Sequence, residues 1–300
     1  MVDLSLELAK RKALMQALAA EFAHEAVLTT KWLTHVDFGW GPERIKDTSK
    51  GIWNPAPYAA TLTIVSDPDG EYDDGDHGNS LYRYSYEKPR RGQVPGRGSN
   101  AKLREAMHLG LPIVMLRKVA NGRFVPIMPV YVVKEEPEHQ RFLLAFDESL
   151  RFLPDPSRLT EDQRRYVARI TYQRVHQPEF RSRVLSAYEK KCAVCDLKKP
   201  PLLDAAHITP DTDDAGLPLV VNGVALCKIH HAAYDENILG ISPDYVVHIN
   251  ADVLTEVDGP MLKFGLQQMD RRPLRVPKRH AERPDRDRLA LRFFDFQNAG

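Results

Sequence analysis

Apolar positions recur at helical spacing over residues 3–28, which predicts one long amphipathic helix at the start of the chain. A loop rich in Gly, Pro and Trp follows over 38–57. The period then shortens. Y-A-A-T-L-T-I-V, L-P-I-V-M-L-R-K, F-V-P-I-M-P-V-Y-V-V and R-F-L-L-A-F have strand lengths and strand patterning, so a sheet of short strands is expected. One helix, N-A-K-L-R-E-A-M-H-L, interrupts them and is expected to end at Gly110 as its cap. From about 154 the text changes: P-D-P-S-R-L-T-E-D-Q-R-R reads as a linker and helix start, and F-R-S-R-V-L-S-A-Y-E-K-K as a helix leading into a cysteine pair. No internal repeat is visible. The expected fold class is α+β.

A length of 300 residues suggests two domains, each able to bury a core. Apolar content of 43% beside 28% charged residues excludes a wholly disordered or fibrous chain. No apolar run reaches membrane-spanning length, and charges at Asp3, Glu7, Lys10, Arg11 and Lys12 argue against a signal peptide, so no membrane partner and a cytoplasmic location are expected. The net charge of +1 conceals two basic stretches, residues 83–104 and the tail R-R-P-L-R-V-P-K-R-H-A-E-R-P-D-R-D-R. Basic clusters of this kind neutralise phosphates. The tail also fits a solvated, partly disordered extension, because acids are interspersed in it. The Gly-, Pro- and Arg-rich loop at 88–98 is the better candidate for a DNA-contacting finger, with Arg90, Arg91 and Arg97 as its contacts.

The chemistry is concentrated between 192 and 235. Cys192 and Cys195 form a C-x-x-C pair, and Cys227 with His230 a C-x-x-H pair about thirty residues on, a spacing that suits one tetrahedral structural zinc. They are all the cysteines of the chain, so no disulfide is expected. His207, Asn222, His231 and Asp235 lie around this cage without being needed for it. Their H…N…H spacing resembles the HNH nucleases of the ββα-metal family.

That resemblance implies a β-hairpin carrying the first His and the Asn, and a short helix carrying the last His. D-A-A-H-I then reads as the first strand, V-V-N-G-V-A-L as turn and second strand, and K-I-H-H-A-A-Y-D-E-N as the helix. His207 would be the general base that takes a proton from the attacking water. Asn222 would hold the loop and help orient the imidazole. His231 and Asp235, four apart on one helix face, would hold a catalytic magnesium or manganese ion that stabilises charge on the scissile phosphate. Many members carry a further metal ligand just before the base. Here that position is Ala206, and Asp204, on the same side of the strand, is the nearest substitute.

A second resemblance covers roughly residues 35–145. E-Y-D-D-G-D-H-G-N-S-L-Y-R-Y-S-Y, followed by S-N-A-K-L-R-E-A, G-L-P-I-V-M-L-R and V-Y-V-V, is similar to the SRA domain (SET- and RING-associated), which flips modified cytosine out of duplex DNA. It implies a PUA-like twisted β-barrel with flanking helices. A flipped pyrimidine needs flat faces above and below and a partner for its Watson–Crick edge. Tyr72 and Tyr84 would supply the faces and Asp74 would accept from the cytosine amino group, with Tyr82 and Tyr86 competing with Tyr84 for the stacking role. Asp76, His77 and Asn79 would hold the pocket loop together. A polar turn or calcium loop within a β-barrel is the alternative reading of the same acidic string.

Together the two resemblances imply the layout of SRA-HNH modification-dependent, type IV restriction endonucleases. The expected division is 1–150 for an SRA-like domain with its leading helix, 151–185 for linker and helix, 186–260 for the HNH unit and 261–300 for a basic extension. The expected partner is double-stranded DNA containing 5-methylcytosine or 5-hydroxymethylcytosine, and one HNH site per chain favours a homodimer for double-strand cutting. Two other readings stay open: an HNH endonuclease or nickase indifferent to modification, and a zinc-containing DNA-binding protein without catalysis, which the alanine at 206 keeps alive.

Overall fold

The computed structural model describes residues 3–47, 50–70, 74–76, 80–88, 98–213 and 215–299. Two compact units divide the chain, Met1–Glu179 and Phe180–Gly300.

Helix α1 (Leu4–Glu25) opens the first unit, with the Asp3 carboxylate accepting the Ser5 and Leu6 amides as its N-cap. Glu7, Arg11, Leu14 and Leu18 form its buried stripe, spaced as one helix face requires. Two members of that stripe are charged. Arg11 is 1% exposed, pairs with Glu7 at 2.6 Å, and donates to the carbonyls of Ala60, Thr61 and Pro112. The other Glu7 oxygen accepts the Ala59 amide at 2.8 Å. Each polar atom thus finds a partner, which is the condition for burying an ion pair without a large penalty. The helix is thereby fastened to the segment that enters the sheet.

Short strands β1 (Leu28–Thr29), β2 (Val36–Asp37), β3 (Pro42–Glu43) and β4 (Ile52–Trp53), with the single turn α2 (Thr30–Leu33), carry the chain through the Gly-, Pro- and Trp-rich region. The longer strands are β5 (Thr63–Ser66), β6 (Tyr82–Ser85), β7 (Ile113–Ala120), β8 (Arg123–Glu136) and β9 (Arg141–Ala145), with helix α3 (Ser99–His108) between β6 and β7. They form a seven-stranded sheet in the order β4-β5-β7-β8-β9-β6, with β1 added along β8. Among the described residues β5 and β7 are the one parallel pair. β8 pairs with β7 through its first half and with β9 through its second, and register shifts at both ladders curl the sheet into a half-barrel. Ile64, Ile113, Met115, Ile127, Phe142 and Leu144 fill the concave core. Gly110 closes α3 as expected: its φ is +62°, and a Cβ there would lie 2.1 Å from the Arg151 guanidinium.

Beyond the sheet, α4 (Glu161–Thr171) begins with a capping box between Thr160 and Gln163 and continues through a π-turn at Tyr172–His176 into α5 (Gln177–Ala187). In the second unit, β10 (Leu203–His207) and β11 (Gly223–Cys227) form an antiparallel hairpin followed directly by α6 (Lys228–Asp235). A second hairpin, β12 (Leu239–Ile241) with β13 (Val247–Ile249), precedes the short helices α7 (Ala251–Thr255) and α8 (Pro260–Gly265). The basic tail corrects one expectation. It is no disordered extension but carries α9 (Arg286–Asn298), capped by Asp285, with Leu289 fully buried and the Phe296 ring against Gly240. Interspersed acids suggested a solvated tail; they are instead the cap and the outward face of a helix. No described helix is long and apolar enough to cross a membrane. The α+β class, the curled sheet and the ββα arrangement match the expected fold.

Arg11→Ala leaves Glu7 buried without its cation and should cost the first unit about 3–5 kcal/mol. Denaturant unfolding followed by tryptophan emission reads this directly, because Trp32, Trp40 and Trp53 all lie in that unit.

Candidate active site

Four side chains converge at one end of the hairpin. The ligand atoms of Cys192, Cys195, Cys227 and His230 lie within 4.8 Å of one another. His230 turns Nδ1 toward the sulfurs of Cys227 at 3.1 Å and Cys192 at 3.4 Å, while its Nε2 lies 2.7 Å from the Gly265 carbonyl. That second contact fixes the tautomer, leaving Nδ1 as the ligand nitrogen. Three sulfurs and one imidazole are the donor set of a structural zinc, and the group can hold one. Crowding among these donors polarises them. The Cys195 thiol is pushed up by hydrogen bonds to Cys192 and Cys227, and the Cys227 thiol is pulled down by Cys192, Cys195 and His230. Burial opposes a charge on His230, but its contacts with the Cys192 and Cys227 sulfurs raise it to about 10. The knuckle is stitched to β11 by the Ala193 amide donating to the Ala225 carbonyl at 2.7 Å.

The hairpin delivers His207 opposite Gly223, at the end of β10. Its ring stacks on Phe180, centroids 4.2 Å apart and planes 19° from parallel. A Cβ on Gly223 would come within 2.8 Å of that same Phe180 ring, so glycine lets hairpin and helix approach closely. Among the described residues Nε2 of His207 is buried and has no hydrogen-bond partner. Burial lowers the basicity of this imidazole, outweighing the attraction of Asp211. In its neutral form the ring can offer that nitrogen as an acceptor. Asn222 is fully buried just before β11. Its amide donates to the carbonyls of Thr209 and Leu217, both at 3.1 Å, and its oxygen accepts the Thr209 amide at 2.9 Å. It therefore holds the 209–217 loop, and through Thr209 the chain just after His207.

His231 follows the cage ligand His230 on α6 and so points about 100° away around the helix. Nδ1 faces Asp204 at 3.7 Å and Nε2 faces Asp235 at 3.5 Å. The neighbouring Asp204 carboxylate raises the His231 pKa, helped by Asp235. The two carboxylates therefore flank the ring on opposite sides instead of converging. Asp204, held down to about 2 first by His231 and then by Lys228, also has Arg181 at 3.7 Å. A pocket of about 510 Å³ opens over His207, His231 and Asp235. Asp204 is not among the residues that line it.

In the first unit, Asp74 accepts the Ser85 amide at 2.8 Å, which joins the acidic loop to β6. Tyr84 is 4% exposed in the core, its hydroxyl directed at the carbonyls of Gly51 and Val65. Tyr82 is buried as well, its hydroxyl 2.6 Å from Ser66 Oγ and 2.9 Å from Arg117. Tyr86 is only partly buried; its hydroxyl meets Glu135, which also binds Arg104. Asp76 lies 2.9 Å from His176 on the π-turn. Burial would raise the Asp76 carboxyl, but the hydrogen bond and charge of His176 together with the charge of Arg117 hold it below its ordinary value. Tyr72, His77, Asn79, Arg90, Arg91 and Arg97 lie outside the described residues.

Residues 192–242 match the HNH endonuclease family. That segment is an HNH endonuclease domain. No curated protein matches the sequence. Among solved structures the chain is similar to the modification-dependent TagI restriction endonuclease, at 21% identity and a TM-score of 0.31, over 82% of this chain and 85% of that one. It is also similar to the SUVH5 SRA domain bound to fully hydroxymethylated CG DNA, at 18% identity and TM-score 0.26, over 38% of this chain and 81% of that one. The type IV phosphorothioation-dependent restriction endonuclease ScoMcrA is similar at 16% identity and TM-score 0.27, over 68% of this chain and 52% of that one.

Sequence reading missed three residues around the HNH site. Phe180 carries the His207 ring, and Arg288 and Arg292 of α9 line the pocket. The i, i+4 spacing of the two arginines behind the Asp285 cap was the available signal. His176, to which no sequence signal pointed, is the partner of Asp76.

Zinc uptake by the metal-stripped protein should release protons from Cys195 and His230, so affinity should rise with pH up to at least about 10, where His230 titrates. Titration in weakly buffered indicator measures it. Cys195→Ser should lose the metal and the order of the HNH domain, while tryptophan emission from the first unit stays native.

Proposed function

We propose that this chain is a metal-dependent endodeoxyribonuclease of the type IV class, which reads 5-methylcytosine or 5-hydroxymethylcytosine in duplex DNA and hydrolyses nearby phosphodiesters. The observation that carries the nuclease half is the buried, unpartnered Nε2 of His207 beside a pocket shared with His231 and Asp235, inside a segment that matches the HNH endonuclease family. His207 accepts a proton from the attacking water as general base. Phe180 and the loop held by Asn222 keep its ring in place. His231 and Asp235 offer a nitrogen and an oxygen 3.5 Å apart at the pocket wall, a donor pair that suits magnesium or manganese with open positions. An ion bound there supplies positive charge against the phosphate and the leaving oxygen. Asp204 orients His231 from the far side of its ring, or joins the ligands after a side-chain rotation away from Lys228.

For the reading half, Asp74 is assigned to the cytosine amino group and Tyr72 to one face of the flipped base. Of the three tyrosines offered for the second face, Tyr82 and Tyr84 are in the core, which leaves Tyr86 favoured. Arg90, Arg91 and Arg97 are assigned to phosphates beside the flipped base. Since one chain brings one hydrolytic site, two chains or two successive nicks cut both strands. The interior position of Tyr84 also favours a second reading, an HNH endonuclease indifferent to modification.

Incubating the protein with one plasmid in unmodified, 5-methylcytosine and 5-hydroxymethylcytosine forms, in magnesium or manganese, separates these. Cleavage confined to a modified form is expected; equal cleavage of all three would remove the base-reading half. The rate should rise with pH along an acid limb centred below 6.5, the ordinary imidazole value, because burial favours the neutral base.

A further inference from the structure

The hydrolytic pocket has a wall that the HNH family match does not reach. That match ends at 242, while Arg288, Leu291, Arg292 and Asp295 of α9 line the pocket beside His207, His231 and Asp235. The electrostatics of the lining pose a problem. Asp211, Asp213, Asp235 and Asp295 all face it, and a phosphodiester entering such a pocket meets four carboxylates. Among the described residues that line it, the permanent cations are Arg288 and Arg292.

The two arginines are engaged differently. Arg292 is used up by the protein: it donates to the Tyr234 carbonyl at 2.6 Å, to the Asp235 carbonyl at 3.3 Å and to the Asn237 side chain, with its guanidinium 5.0 Å over the Tyr234 ring. These contacts cap the end of α6, the helix that carries His231 and Asp235. Arg288 uses a single nitrogen. Nη1 donates to Thr209 Oγ1 at 2.9 Å and to the Ala215 carbonyl at 2.8 Å, both within the loop that Asn222 closes. Among the described residues it makes no ion pair, and its Nε and Nη2 edge has no protein acceptor. A guanidinium anchored at one nitrogen, with its remaining donors over an anion-hostile pocket, has the geometry of a phosphate clamp.

We propose that Arg288 binds a phosphate of the strand being cut, with α9 as the element that completes the HNH site. The proposal rests on the nuclease reading of that site. Its role is substrate binding and charge neutralisation, not proton transfer. Arg292 acts one step back, as a positioning residue for Asp235.

The test uses the full chain with Arg288→Ala, Arg288→Gln and Arg288→Lys, and Arg286→Ala as a control cation on the outer side of α9, where Arg286 pairs with Asp244. Affinity for a short unmodified DNA duplex is measured against salt without added magnesium or manganese. Loss of one phosphate contact should lower the slope of log affinity against log salt by about 0.9 in the Ala and Gln variants, and leave it unchanged in Lys and in Arg286→Ala. Nicking in magnesium or manganese should fall about 100-fold in Ala and Gln. Gln keeps a donor for Thr209 and Ala215, so a role confined to holding the loop would spare it. An Arg288→Gln slope equal to wild type, or an equal drop for Arg286→Ala, overturns the proposal. Failure of the nuclease reading itself shows separately, as a wild-type protein that does not nick, and the salt slope still judges Arg288.

Discussion

The constraint on which the HNH domain depends is the meeting of four ligand atoms from three pieces of chain. Cys227 is the last residue of β11 and pairs with Leu203, so fixing its sulfur fixes the register that sets His207 against Gly223 four residues away. His230 lies three residues into α6 and is 2% exposed, so fixing its imidazole fixes the rotation of the helix that presents His231. A one-residue slip of the hairpin would move His207 to the opposite face of the sheet. A hydrophobic core as small as this one tolerates such slips more easily than a cage of directional bonds does. The cage thus positions residues that take no part in it.

Around that frame the pocket is divided electrically. Burial favours the neutral form of His207, whereas Asp204 favours the charged form of the neighbouring His231. Two imidazoles facing one pocket are thereby biased toward different protonation states by their surroundings, as the proposed division between a base and a partner of carboxylates requires. The excess of carboxylates suits a divalent cation and opposes a phosphate, and α9 supplies the missing positive charge. A helix distant in sequence is therefore as much a part of the site as the hairpin.

Much of this was legible in the sequence because the signals were local. The C-x-x-C and C-x-x-H pairs, the strand before His207 and the helix after Cys227 each occupy a few residues, and the structure brings the four cage ligands together. The α1 stripe was legible as a helix face, but not the fact that Arg11 and Glu7 are inside it, since their partners come from residues 59–61 and 112. Tyr84 was chosen for its neighbours in sequence, and alternation along β6 placed Tyr82 and Tyr84 on the same inner side. Arg288 and Arg292 were hidden in a charged tail for the same reason. Their contacts, Thr209, Ala215, Tyr234 and Asn237, are more than fifty residues earlier, and no pattern along the chain announces such a pairing.

The central claim is that His207 is the group that activates water in this domain. Nicking of a 5-methylcytosine-containing plasmid by wild type and by His207→Ala, compared at equal zinc content, tests it most directly. The account predicts that the variant retains zinc and DNA binding and loses cleavage by about 100-fold or more, the scale of a general base. A variant that nicks as fast as wild type would contradict it.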